Sequence, residues 1–273
     1  VKPPLVSGIL PFADPKRLNL VRKAVNNFIR QQYTPYELVV VNGTDVDVLT
    51  NTEMDSEMFR QAGCHVMEIR VPPGLNAATM RNRGIQAAHG DWIFPIDDDD
   101  WCHPQRLLFQ MAHRVGDHPC LLRYQLRVDV SHVLKAAAED HPDGAAKPLL
   151  HLLRVEDGIP STILFPRLIN SDGALWLYDE DLNIGEHDEL LARMRRDGAA
   201  PVVCDNMHNT FVNGMQWPIL SIAMYHTNNE LTHEQFFYKL PQPVDRSVVP
   251  QGLTQSDMNQ LRVVLQSYNF RIG

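Results

Sequence analysis

The chain has 273 residues, 44% hydrophobic and 21% charged, the balance of a globular protein long enough for one large core. A net charge of −8 gives no general support for a nucleic-acid partner, and no apolar run approaches the ~18 residues of a membrane span. Val1-Lys2-Pro3-Pro4 has no signal-like apolar stretch, and Cys64, Cys102, Cys120 and Cys204 form no CxxC pair, so reduced thiols in a cytoplasmic protein are expected and zinc is not.

Leu5–Leu10 reads as a first strand, stopped by Pro11. Asp14 then caps a helix with Pro15 at its first position, running to about Gln32 with Leu18, Val21, Val25, Phe28 and Ile29 on one face. Glu37–Val41 is a second strand, ended by the turn pair Asn42-Gly43. Met54–Ala62 reads as a helix and His65–Val71 as a third strand, broken by Pro72-Pro73-Gly74. Asn76 caps a helix through Ala88, and Gly90 feeds a short apolar strand, Trp92–Ile96. Pro104 opens another helix to about Val115. This alternation of strand and helix predicts an α/β fold with a doubly wound, mostly parallel sheet and helices on both faces.

The second half is less regular. Leu121–Val130, Ser161–Phe165, Ala174–Tyr178 and Pro201–Cys204 are strand candidates, and Ala136–Pro148 reads as an exposed insertion. A helix begins at Glu186 or His187 and ends near Gly198; its Arg193, Arg195 and Arg196 make a charged face of the usual solvated kind. From Asn229 the chain is polar and Pro-punctuated, with one amphipathic helix over Asp257–Gln266. The expected organisation is a main domain over residues 1–228, with a nucleotide-binding half (1–115) and an acceptor-binding half (116–228), and an extension over 229–273.

The chemistry concentrates at Asp97-Asp98-Asp99-Asp100, directly after the Trp92–Ile96 strand, at the edge where open α/β sheets bind ligands. If the run is extended, Asp97 and Asp99 share one side and Asp98 and Asp100 the other. Four like charges this close call for a cation, or for donors such as ribose hydroxyls. All-oxygen donors favour Mg2+ or Mn2+, and the spacing lacks the mid-loop Gly and distal Glu of an EF-hand.

These pieces resemble, in order, the family 2 glycosyltransferases of the GT-A fold. Leu5–Pro11 is similar to the opening strand, and Gln31-Gln32-Tyr33 with Glu37–Asp45 to the second strand and its uracil-contacting turn. Met80–Ile85 with Ala88–Ile93 resembles the helix before the metal strand, Asp97–Asp100 the Asp-x-Asp-Asp motif, and Trp176–Asp179 with Gly185–Arg193 the acceptor-side segment. The resemblance implies a metal-dependent, inverting transfer of sugar from a nucleoside-diphosphate sugar, with uridine as the expected base, to a hydroxyl acceptor, assisted by Mn2+ or Mg2+.

By that resemblance Pro11, Phe12, Ala13 and Asn42 form the base pocket, Asp97 bonds the ribose, and Asp98 or Asp100 holds a metal-bound water or a sugar hydroxyl. Asp99 and His208 are the expected metal residues, His208 lying where relatives place a His near the diphosphate, and Arg81 serves the diphosphate or the Asp cluster. The family's Glu-Asp pair is not literally present: aligning on Leu190-Leu191 makes Asp188 the general base, whereas aligning on Arg193 leaves Glu186 in the pair's first place. Two other readings stay open, an inactive nucleotide-sugar-binding module and an enzyme acting on hydroxylated bases of modified DNA. A sugar nucleotidyltransferase is disfavoured, since Val6–Lys16 holds a single Gly.

Overall fold

The computed structural model describes residues 2–49, 64–129, 149–168, 173–206, 221–225 and 263. The chain forms two compact units, Val1–Leu122 with Asp157–Cys204, and Arg123–Glu156 with Asp205–Gly273.

In the first unit, β1 (Val6–Phe12) leads through a 3-10 turn, Pro15–Arg17, into α1 (Leu18–Phe28), and β2 (Tyr36–Asn42) follows. Next come β3 (Cys64–Arg70), α2 (Ala77–Ala87), β4 (Trp92–Pro95) and the short β5 (Trp101–Cys102). After α3 (Arg106–His113) and β6 (Cys120–Leu122) the chain makes β7 (Tyr124–Asp129) and β8 (Leu149–Arg154) of the second unit. It returns for β9 (Phe165–Pro166), α4 (Glu186–Arg196) and β10 (Val202–Cys204), and β11 (Ser221–Tyr225) belongs to the second unit.

The main sheet has the order β3-β2-β1-β4-β9, parallel except for β9. Strands one to three step outward from β1, and β4 then lands on its other side. The order therefore reverses between β1 and β4, and the C-terminal ends of these two strands flank the crevice where such sheets bind ligands. In the second unit β7 pairs parallel with β11 and antiparallel with β8.

Both faces of the sheet are covered, and two glycines show how closely. A Cβ on Gly8 would lie 2.5 Å from the Phe28 ring of α1. On the opposite face, a Cβ on Gly84 of α2 would lie 2.5 Å from Ile9 Cγ2 and 2.9 Å from Val41 Cγ2. This two-sided cover is why β2, Tyr-Glu-Leu-Val-Val-Val-Asn, is buried at every position. Its one charge, Glu37, accepts from Ser7 Oγ (2.6 Å) and from the His89 backbone N–H (2.7 Å). Burial pushes the Glu37 carboxyl up, but these donors and the His89 ring outweigh it and hold it below its ordinary value.

The structure shifts several boundaries and overturns three expectations. Leu121–Val130 is not one strand but β6 and β7, which belong to different units. Ser161–Phe165 is a 3-10 turn, Pro160–Thr162, followed by β9. Ala174–Tyr178 makes a single antiparallel bridge, Leu175 with Leu168, and not a full strand; at its end side chains take the backbone partners, with Tyr178 N–H donating to Asn82 Oδ1 (2.7 Å) and Asn82 Nδ2 donating to Tyr178 O (2.9 Å). Met54–Ala62, Ala136–Pro148 and, apart from helical Val263, Asp257–Gln266 lie outside the described residues.

Candidate active site

Ile96 N–H donates to Ile9 O (2.9 Å), so β4 stays in register with β1 for one residue past its end. The chain then turns, with Asp100 N–H donating to Asp97 O (3.3 Å). The turn sorts the carboxylates differently from an extended run. Arg17 Nη2, at the end of the 3-10 turn after β1, donates to both Asp98 Oδ1 (2.5 Å) and Asp99 Oδ2 (2.7 Å). Asp97 instead accepts from Arg81 Nη2 of α2 (2.6 Å). The expected pairing of Asp97 with Asp99 on one side is thereby corrected.

Arg81 also reaches a distant part of the chain. Its Nη1 donates to Glu186 Oε1 (2.6 Å), and its guanidinium lies 5.6 Å from the centre of the Tyr178 ring. The Asn76 cap positions α2 by accepting from Thr79 N–H (2.8 Å), while its amide donates to Glu180 O (2.7 Å). Asn82, next to Arg81, clamps Tyr178 and donates to Glu180 Oε1 (2.9 Å). Two asparagines and an arginine of α2 thus hold the segment that ends in α4. That helix starts immediately after Gly185, whose φ of +80° favours glycine. His187 packs beneath, with Nδ1 3.1 Å from the Tyr178 hydroxyl.

The electrostatics follow from burial and pairing. Burial disfavours the Arg81 charge, but Asp97, Tyr178 and Glu186 outweigh it and raise the pKa, so the guanidinium is a fixed cation. Burial likewise pushes Asp97 up, yet Arg81 and then His187 hold it below the ordinary carboxylate value. Asp98 goes the other way. Burial first, then repulsion from Asp99 and Asp97, lifts it to about 8 despite Arg17. His187 is pushed down to about 4, chiefly by burial and then by Arg81, and is neutral at pH 7.

Of the residues expected at the site, Arg81, Asp97, Asp98, Asp99 and Glu186 come together through Arg81 and Arg17. Asp188 is exposed, and two residues along a helix put it about 200° around the axis from Glu186. Phe12 is fully buried, Pro11 partly buried and Ala13 exposed. Asn42 is fully buried with its hydrogen bonds in use. Its Oδ1 accepts from Thr44 N–H and Oγ1 (both 2.8 Å), and its Nδ2 donates to Val46 O (2.7 Å) and Glu68 Oε1 (2.6 Å). Two acceptor sites and two donors are an amide's whole capacity, so Asn42 builds the turn after β2. His208 lies outside the described residues.

Sequence reasoning missed Arg17, Tyr178, Asn82 and His187 as parts of the site. Arg17 had a readable signal: a basic residue in Asp14-Pro15-Lys16-Arg17, just past β1, shares the sheet edge with Asp97–Asp100. Asn82 had none, because a polar residue on a helix reads as solvated until the segment over it is known.

A divalent cation can be tested against the donor set. Among the described residues no group of three or more His, Cys, Asp or Glu is placed to hold one. Mg2+-type sites, however, take one or two carboxylates and complete their shell with water and substrate phosphate. Asp98 and Asp99 supply hard oxygens, and burial first, then repulsion from Asp99 and Asp97, lifts Asp98 to about 8, a balance that a cation would ease. The residues fit such an ion.

A family model described as Glycosyl transferase family 2 matches residues 16–135. The chain is 30% identical over 112 residues to a colanic acid biosynthesis glycosyl transferase, WcaA, of Escherichia coli (strain K12), covering 41% of this chain and 38% of that protein. It is 27% identical over 103 residues to the amylovoran biosynthesis glycosyltransferase AmsB of Erwinia amylovora, covering 36% and 34%. The chain thus spans roughly a third of the length of the curated relatives it matches. Among solved structures, S. aureus TarS 1-349 in complex with UDP superposes with a TM-score of 0.52 at 16% identity, over 85% of this chain and 62% of that one. The UDP-GlcNAc complex of the same protein gives 0.50 at 16% identity, over 82% and 59%. The fold is therefore that of the GT-A glycosyltransferases.

Proposed function

Starting from a chain whose residues 16–135 match the Glycosyl transferase family 2 model, we propose a metal-dependent, inverting transfer of sugar from a nucleoside-diphosphate sugar, a UDP-sugar, to an acceptor hydroxyl. One observation carries this reading. Arg81 holds the strand-end carboxylate Asp97 and the helix-start carboxylate Glu186 with one guanidinium, at 2.6 Å each, so donor-side and acceptor-side groups form one site. The TarS complexes with UDP and UDP-GlcNAc support the choice of uridine, since that protein shares the fold.

In this reading Asp97 accepts from the ribose hydroxyls, and the base lies at the β1–β2 edge against Pro11 and Ala13, with Asn42 bracing the neighbouring turn. Mn2+ or Mg2+, held by Asp99 with Asp98, would supply the charge that offsets the departing diphosphate. Glu186 takes the proton of the attacking hydroxyl, because Arg81 orients it toward Asp97 while Asp188 faces outward. A single in-line attack inverts the anomeric carbon.

The test compares Glu186→Gln with Asp188→Asn. Gln keeps an oxygen for Arg81 but cannot accept the proton, so transfer should fall by about 10²–10⁴-fold with donor affinity little changed. Asp188→Asn should retain most activity. The reverse ranking would reassign the base, and a product with retained anomeric configuration would overturn the mechanism.

A further inference from the structure

Cys120 of β6 and Cys204 of β10 lie on paired parallel strands, in the register Val202 with Cys120 and Cys204 with Leu122. Positions two apart on a strand point the same way, so the two side chains share a face as diagonal neighbours. Both residues are buried, and their Sγ atoms are 2.7 Å apart. Nonbonded sulfurs prefer a wider spacing, whereas a disulfide needs about 2.0 Å. Closing the bond takes the sulfurs about 0.7 Å nearer and also draws the two Cβ atoms to the roughly 3.5–4.5 Å that a disulfide spans.

The other cysteines have different surroundings. Cys102 Sγ donates to Asn27 Oδ1 (3.0 Å) and accepts from Gln31 Nε2 (3.4 Å), and Cys64 Sγ is 3.6 Å from His65 O. Among the described residues Cys120 and Cys204 are thus the cysteines set sulfur to sulfur.

We propose that Cys120 and Cys204 are a built-in disulfide site, closed by exchange with an oxidised thiol such as glutathione disulfide. One cysteine, as its thiolate, attacks a glutathione sulfur and releases one glutathione thiolate. The second cysteine then attacks the protein-bound sulfur of the mixed disulfide and releases the other. One S–S bond breaks and one forms, and the two cysteine protons end on two reduced glutathiones. The contact with Cys204 and then burial raise the Cys120 thiol well above its usual pKa, so exchange is slow and waits on local opening.

The bond would join positions separated by 84 in the sequence and link the first unit's two segments near their ends, two residues before Leu122 and at Cys204. A cross-link over a loop of that length acts mainly on the unfolded chain, so the oxidised protein should gain on the order of 5–15 °C in Tm.

The experiment equilibrates the purified chain with glutathione disulfide for hours, quenches, unfolds it in guanidinium with iodoacetamide, and maps the peptides by mass. The expected result is two alkylated cysteines, Cys64 and Cys102, a peptide pair linked through Cys120 and Cys204, and the rise in Tm. Cys204→Ser, which removes one partner with little change of volume, should lose both the link and the rise. Four alkylated cysteines, glutathione adducts without a protein disulfide, or a link to Cys64 or Cys102 would each overturn the proposal.

Discussion

Replacing Arg81 is expected to break the fold's stability and the site together, and the structure sets the scale. The guanidinium is about 5% exposed and makes two charge-assisted bonds of 2.6 Å, one to Asp97 and one to Glu186. Removing one partner of a buried ion pair typically costs about 3–5 kcal/mol, because the other charge is left buried. Asp97 here is about 33% exposed and can rehydrate, which lowers the expected loss for Arg81→Met by about 1 kcal/mol, to about 2–4 kcal/mol. Arg81→Lys keeps the charge, but a point-like ammonium cannot span both carboxylates, so it forfeits one charged hydrogen bond, about 1.5–3 kcal/mol. Urea unfolding at pH 7 should rank wild type above Arg81→Lys above Arg81→Met. Adding Asp97→Asn to Arg81→Met should cost less than in the wild-type background, since the neutral amide no longer needs a cation. An Arg81→Met protein as stable as wild type, or strictly additive effects in that cycle, would refute the bridge.

Gly84→Ala should destabilise despite its better helix propensity: the new Cβ would sit 2.5 Å from Ile9 Cγ2 and 2.9 Å from Val41 Cγ2, β-branched groups that cannot swing aside, for a net loss of about 1–2 kcal/mol in urea unfolding. His103 and His187 are both pushed down to about 4 by burial, so between pH 6.5 and 4 the unfolded chain takes up protons that the fold refuses and stability falls. The advantage of wild type over His103→Gln should therefore shrink by up to about 3 kcal/mol from pH 7 to pH 4, and a constant difference would contradict the burial. Asp98, lifted to about 8, has the opposite sign: its proton stabilises the fold, and that contribution is lost as pH rises from its unfolded value toward 8. Mn2+ must displace this proton, so its affinity in the presence of UDP should climb by at most about tenfold per pH unit up to about pH 8, and Asp98→Asn should flatten the slope in calorimetric titration.

Residues 1–115 were legible because their signals are local. Apolar runs bounded by Pro and Gly mark β1 to β4, Asn76 marks the start of α2, and the Asp run marks the end of β4. The segment from Ala174 to Glu186 was not, because its backbone is held by side chains from elsewhere. Tyr178 looks like a strand residue until Asn82, 96 positions away, is seen bonded to it on both sides. Asp188 and Glu186 posed the same difficulty: both are acidic residues of a helix start, which the macrodipole favours anyway, and the contact on which the proposal of Glu186 rests comes from Arg81, 105 positions away. Leu121–Val130 misled for a different reason, since an unbroken alternation of apolar and polar residues carries no mark of the point at which a chain leaves one unit for another.

The arginines also explain why a cation belongs to the proposed reaction. Arg17 is committed to Asp98 and Asp99, and Arg81 to Asp97 and Glu186, so among the described residues the arginines bonded to the strand-end carboxylates are already engaged. A diphosphate brought to this edge alone would meet negative charge at roughly 5 Å, and each such pair costs about 3 kcal/mol at an effective dielectric of 20. Freeing either arginine to receive it would expose the carboxylates that arginine neutralises, which returns the same repulsion in another place. The balance improves when positive charge arrives with the donor. A site arranged in this way gives little donor affinity without a divalent ion, which EDTA would show as loss of UDP binding. It also gains affinity as Asp98 loses its proton, so ion, donor and pH act on one electrostatic balance at the junction of β1 and β4.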